Sequence, residues 1–350
     1  MNPVAAPRPS LSVSPADSSV SPGRLVAVSP RRPVAPSRSR PVAVSPPPPL
    51  PAALPAEVLR KVRLVELRAR RLVEDVLAGP YRSVFRGRGL EFDEVRAYQP
   101  GDDVRSIDWH TTARTGSVQI KQHVEERCLT VMLAVDLSAS GDFASGPQSK
   151  RELAAELAAI LALSAVLNND RVGLLLFTDR VERYLPPRTG RRQALAIVAA
   201  VLGHLPRGRG TSLRLALQVL GSTLRRRALV FLISDFLDRD FERPLRIAAR
   251  RHDLVALSIQ DEAEVRLPGL GWLAWEDAET GELVELDTGD PSVRHAFEVA
   301  GRGRMAGLRD LFRRADVEQV PCVAGVACHR ALLQFFARRR QRRGVRAGVP

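Results

Sequence analysis

The chain has 350 residues, 45% of them apolar and 26% charged, enough for one large domain or two modest ones with a real core. Its formal net charge is +14, yet the lysines are only Lys61, Lys121 and Lys150; arginine carries the rest, beside abundant Ala, Val, Gly and Pro, as in a GC-rich coding sequence, so the charge does not imply a nucleic-acid partner. Cys128, Cys322 and Cys328, odd in number and irregular in spacing, exclude a disulfide framework or a zinc site, and no apolar stretch reaches the roughly 20 residues of a membrane span, so a cytoplasmic protein with reduced thiols is expected.

Residues 1–55 hold 15 of the 26 prolines, a single acid (Asp17) and two near-repeats, Leu-Val-Ala-Val-Ser-Pro and Pro-Val-Ala-Val-Ser-Pro. Such a composition buries too little apolar surface to offset chain entropy and predicts a disordered tail. Over residues 56–80 apolar residues recur every three to four positions, which predicts an amphipathic helix from Glu57 to Leu77 with an arginine-rich outer face. Residues 81–129 are dense in Gly, Arg and Asp. From Thr130 to about residue 262 strands and helices alternate. Strands are predicted at Thr130–Asp136, Arg171–Thr178, Ala228–Ser234 and Asp253–Gln260, and helices at Lys150–Asn169, Arg191–Leu205, Ser212–Leu224 and Asp240–His252. Continuously apolar strands between helices imply a mainly parallel sheet covered on both faces: a doubly wound α/β fold with a smaller β-containing flanking segment. Trp272 and Trp275 fall in an alternating stretch that predicts an extra strand pair, and residues 263–343 complete the domain.

The stretch Val131 to Gly141 reads V-M-L-A-V-D-L-S-A-S-G: an apolar strand ends at Asp136, and Ser138 and Ser140 follow at alternate positions. The strand L-V-F-L-I-S-D ends in the same way at Asp235, and the loop R-G-R-G-T-S brings Thr211 to a helix start. In a doubly wound sheet such strand-end loops converge at one edge. Asp136, Ser138, Ser140, Thr211 and Asp235 are therefore the candidate site. Their hard oxygen donors select Mg²⁺ or Mn²⁺, and two carboxylates with three hydroxyls leave a coordination position open. The competing reading makes the serines helix caps and Asp136 a strand end.

Asp-x-Ser-x-Ser with a later Thr and a strand-end Asp resembles the metal-ion-dependent adhesion site of von Willebrand factor A domains. That resemblance implies direct metal contacts from Ser138, Ser140 and Thr211, with Asp136 and Asp235 acting mainly through bound water. Upstream, R-G-R-G-L-E-F-D-E-V-R (86–96), Y-Q-P-G-D-D-V-R-S-I-D-W (98–109) and T-A-R-T-G (112–116) resemble the signature of the bacterial domain-of-unknown-function family fifty-eight (DUF58), whose members carry a von Willebrand A-like domain. The likeness runs to the helix around A-L-L-Q-F-F-A-R-R (331–339). It implies a partnership with MoxR-type AAA+ ATPases in chaperone-like or assembly roles. The chain departs from the pattern at Gly141, where methionine is frequent, at His110, where Asn is more usual, and in lacking the N-terminal membrane helices of many relatives.

The function expected is non-catalytic: Mg²⁺-dependent capture of an acidic group on a protein partner. The alternatives are a metal-dependent hydrolase using Asp136 and Asp235, and an arginine-driven nucleic-acid binder. Asp102, Asp103, Asp108 and His110 read either as a hydrolytic metal site or as a turn and ion-pair network with Arg96, Arg105 and Arg114, the network being preferred. Neither a nucleophile elbow nor a phosphate-binding Gly-x-x-x-x-Gly-Lys loop is present. The basic run 338–343 suits a helix C-terminus, with nucleic-acid or membrane contact as the sharper reading.

Overall fold

A computed structural model describes residues 56–74, 81, 90–99, 102–125, 128–276, 278–279 and 281–347; the expectations for the 1–55 tail and for Arg86 to Gly89 lie outside them. The described chain opens with helix α1 (Ala56–Leu72); the end of the predicted run, residues 75–77, lies outside the described residues. Strands β1 (Leu90–Ala97) and β2 (Gln119–Glu125) pair antiparallel around the short helix α2 (Trp109–Thr115). There follow β3 (Thr130–Asp136), α3 (Lys150–Leu167), β4 (Arg171–Phe177), β5 (Val181–Arg188), α4 (Arg191–Gly203), α5 (Leu213–Thr223), β6 (Leu229–Ser234), α6 (Glu242–Arg251) and β7 (Asp253–Gln260). The antiparallel pair β8 (Trp272–Glu276) and β9 (Leu283–Asp287) is the one that the tryptophans predict, and α7 (Pro291–Arg314), β10 (Glu318–Val323) and α8 (Cys328–Ala347) close the fold.

Six strands form one sheet in the order β10-β7-β6-β3-β4-β5, parallel throughout except for β5. This is the doubly wound α/β arrangement. Alternation along β3 sends Val131, Leu133 and Val135 into a core with α1, α3, α4 and α8, and Met132 and Ala134 into a second core with α5, α6 and α7. Because both faces are covered, the strands read as unbroken apolar runs, and each fully buried Val or Leu contributes about 1.5–3 kcal/mol. Helix α3 is apolar nearly all round, as a helix between sheet and outer helices must be, and a capping box of Ser149 and Glu152 starts it.

Two strands are not apparent in the sequence pattern. β5 is an antiparallel edge strand carrying Pro186 and Pro187, residues that an edge tolerates because one side of its ladder is unpaired. It approaches β4 so closely that a Cβ on Gly173 would lie 2.9 Å from the Leu185 carbonyl oxygen, which is why a glycine interrupts an otherwise aliphatic strand. β10 is the other edge and contains Pro321. The register sets the site: Asp136 lies opposite Phe177, and Val135 opposite Ile233, so β3 and β6 end side by side.

Candidate functional site

Asp136 and Asp235 stand at the carboxyl ends of adjacent strands, where the backbone leaves the ladder and side chains of neighbouring loops meet. Asp136 accepts the Ser138 N–H through Oδ1 at 2.9 Å and the Ser234 hydroxyl through Oδ2 at 2.7 Å. The Ser138 and Ser140 hydroxyls are 3.0 Å apart, and Ser140 Oγ donates to Asp235 Oδ2 at 2.8 Å. Four of the five candidates thus form one connected network. Ser138 precedes a single 3₁₀ turn without capping it by its side chain, and the following α-helix is capped by Ser149 instead. The helix-cap reading of the serines is therefore not what the structure displays.

The fifth candidate is placed differently. The loop carrying Thr211 reaches the same edge, since Ala139 N–H donates to the Arg209 carbonyl at 2.9 Å. The Thr211 hydroxyl, however, donates to Glu279 Oε1 at 2.7 Å, in the connection between β8 and β9, and makes no hydrogen bond to the network. That contact joins residues 68 positions apart and leaves no trace in local sequence.

Two residues the sequence reading overlooked shape the electrostatics. Lys150, the first residue of α3, is 2% exposed, and its Nζ lies 2.8 Å from Asp235 Oδ2 and 2.5 Å from Glu264 Oε1. Burial works to lower its pKa, but Asp235 and Glu264 outweigh it and hold the ammonium above its ordinary range. The available signal was residue type: a lysine in a chain that otherwise uses arginine. Desolvation, and then the charge of Asp235, push Asp136 up to about 7 against the opposing hydrogen bonds from Ser138 and Ser234. Asp136, Ser138, Ser140, Lys150 and Asp235 line a cavity of about 20 Å³, room for a water or a small cation. A second cation, Arg151, lines the same cavity and is paired with Asp142 at 3.1 Å. Hydroxyl and carboxylate oxygens are the donors that fit Mg²⁺ or Mn²⁺. Among the described residues no three His, Cys, Asp or Glu side chains gather as a metal group, so this donor set is one of two carboxylates with hydroxyls.

The second overlooked residue, Glu182, holds the loop that carries Thr211. Its carboxylate accepts from Thr178 Oγ1 (2.8 Å), Arg207 N–H (3.0 Å) and Gly208 N–H (2.9 Å), and its other oxygen lies 3.1 Å from His204 Nε2. Burial works to raise its pKa, but these partners prevail and the carboxyl lies below its ordinary value. Gly208 is pressed so closely to the turn that a Cβ would displace the side chains of Asp179 and Thr178. On the far side of Asp235, Phe236 and Asp240 adopt positive φ (59° and 61°), a conformation costing non-glycine residues about 1–3 kcal/mol each.

Upstream, Asp108 caps α2 by accepting from the backbone N–H groups of His110 and Thr111, and Asp102 accepts from Gln99 N–H at 2.8 Å. The backbone half of the turn network is present. The ion pairs expected of Arg96 and Arg105 involve side chains outside the described set. No helix among the described residues is long and apolar enough to cross a membrane.

Fold and site together define a doubly wound α/β protein with a carboxylate–hydroxyl cluster at the carboxyl edge of its sheet. Residues 94–306 match the family model described as "Protein of unknown function DUF58", and the chain belongs to that family. It is 33% identical over 290 residues to "Uncharacterized protein Mb1516" of Mycobacterium bovis and to "Uncharacterized protein Rv1480" of Mycobacterium tuberculosis, covering 82% of this chain and 90% of each relative. Among solved structures it is similar to BatB from Bacteroides thetaiotaomicron (TM-score 0.43, 17% identity) and to an aerotolerance-related membrane protein from Bacteroides fragilis (TM-score 0.43, 14% identity). Each match covers 61% of this chain and 99% of the other.

Proposed function

We propose that the protein is a non-catalytic, metal-dependent interaction module of the von Willebrand factor A type. Asp136, Ser138, Ser140 and Asp235 hold Mg²⁺ or Mn²⁺, with Thr211 beside them, and the metal supplies an open coordination position for an acidic group of a protein partner. By the family resemblance the partner is a MoxR-type AAA+ ATPase or its client, met in the cytoplasm during chaperone-like or assembly work. The observation that supports this most is the pair of strand-end carboxylates sharing a small cavity, with Asp136 pushed up to about 7 by desolvation and by the charge of Asp235. A second reading, metal-dependent hydrolysis, draws on the same value, which suits a general base.

The test is affinity capture with purified MoxR-type ATPase, comparing wild type and Asp136→Ala, each with Mg²⁺ or EDTA. Retention only by wild type with Mg²⁺ is the expected result. Equal retention in all four conditions overturns the metal reading, and metal-dependent turnover of a phosphoester substrate, lost in Asp136→Ala, replaces it with the hydrolase.

A further inference from the structure

The carboxyl edge of the sheet holds a second cavity beside the carboxylate cluster, and Asp235 lines both. This cleft measures about 280 Å³ and is walled by Phe236, Leu237 and Phe241 on one side and by Met305 and Leu308 of α7 on the other. Its volume lies just under the ~300 Å³ at which small-ligand sites begin, so it suits one large apolar side chain. The walls are held in place. The Phe236 ring meets Phe312 edge-on at 4.9 Å, and Gly301 brings α7 so near Val265 that a Cβ would lie 3.1 Å from its Cα. Leu237, by contrast, stands 53% exposed at the mouth.

Three carboxylates line the cleft, of which Asp235 and Glu264 are paired with Lys150 and Asp238 accepts from Leu213 N–H, and exposed arginines stand around them. Arg304 lines the cleft, Arg239 lies on the loop of Leu237, and Arg207 and Arg209 lie on the loop that bonds Ala139. All four are exposed, and none has an acidic side chain within 4 Å among the described residues. The chain itself is a poor source of a complement: residues 1–55 contain Asp17 as their only acid, and a second copy, also carrying +14, is repelled.

We infer that this cleft receives a large apolar side chain from the same partner segment whose acidic group reaches the Asp136–Asp235 site. The ligand is then a short stretch of protein joining a carboxylate to an aromatic or large aliphatic residue, rather than an isolated carboxylate. The inference rests on the reading of the neighbouring site as one that captures an acidic group.

The test uses the full chain and fluorescently labelled peptides in which Asp and Phe are separated by no, one or two glycines. Control peptides carry Ser for Phe or Asn for Asp, and Mn²⁺ binding is titrated calorimetrically in parallel. The best-spaced Asp–Phe peptide is expected to bind at least about tenfold more tightly than its Ser counterpart, as burial of one aromatic side chain requires. Met305→Trp, which fills the cleft, and Leu237→Ser, a surface change without a folding burden, should each abolish that advantage while leaving Mn²⁺ affinity unchanged. Equal binding of the Phe and Ser peptides, including no binding of either, overturns the inference, as does an advantage that survives Met305→Trp. If Mn²⁺ does not bind but the Phe advantage holds, the metal reading fails and the cleft stands. If Mn²⁺ binds and the Asp peptides are captured with no gain from Phe, the cleft fails alone.

Discussion

Asp136 and Glu182 are two acids at the same edge of one sheet, and they respond to it in opposite directions. Glu182 is surrounded by donors: two backbone N–H groups, a threonine hydroxyl and a histidine ring, which together pull its pKa below the ordinary value. Asp136 has one N–H and one hydroxyl, with the charge of Asp235 nearby, and is pushed up to about 7. Desolvation opposes both charges; the difference lies in what each is given in return. A carboxylate whose partners are all internal fixes a loop. A carboxylate buried beside a second carboxylate is disposed to accept a cation.

Asp136→Asn should have the largest effect on that contrast. Mn²⁺ affinity measured by calorimetry should fall at least about a hundredfold, the upper range for loss of a metal-site group. The folded-state pKa of Asp136 is raised, so its contribution to stability is full below about pH 4 and is lost as the pH rises through about 7. In EDTA, wild type should therefore weaken between pH 4 and pH 8 by at most about 4 kcal/mol from this group, and the Asn variant should lack that part of the slope. Parallel urea-denaturation profiles for the two proteins would mean that Asp136 is an ordinary carboxylate.

Lys150→Met removes the ammonium from between Asp235 and Glu264. Breaking a buried ion pair costs about 3–5 kcal/mol, so the variant should melt well below wild type without metal. Its Mn²⁺ affinity should nonetheless rise, because the carboxylates lose their internal counter-ion. A joint loss of stability and metal affinity would instead make Lys150 part of the metal-holding structure.

Glu182→Gln is the mildest change, about 1–3 kcal/mol, because an amide keeps some of the hydrogen bonds. Here the sign is reversed. The wild-type contribution is present above the ordinary value near 4.5 and is lost as the pH falls through the depressed folded value. The acid limb of the wild-type stability curve should be the steeper of the two, and identical limbs would show that the donors around Glu182 carry no charge-dependent stability.

Much of this edge was legible because of how parallel sheets are built. Asp136 and Asp235 end unbroken apolar runs, and an acid there sits at the rim, so the sequence pattern alone brings together the four candidates that share one hydrogen-bond network. Lys150 was hidden because the first residue of a helix is ordinarily solvated, and its burial depends on Asp235 and Glu264, 85 and 114 residues away. Glu182 lies on β5, whose two prolines and alternating polarity conceal a strand. The Thr211 hydroxyl turns toward Glu279, a choice made by the hairpin β8–β9 and not by the loop that carries it. Local periodicity reports which residues reach the rim; which of them meet there is decided by segments far apart in the chain.

The span between the two halves of the site also has a meaning in time. Ser234 donates to Asp136 across 98 residues, and β3 pairs with β6 across a similar separation. A ribosome adding roughly 5–20 residues per second exposes Asp136 several seconds before Asp235 exists. During that interval β3 can pair with β4 but not yet with β6. The cluster can close only after β6 has docked, so a competent site marks a chain whose central sheet has already been assembled.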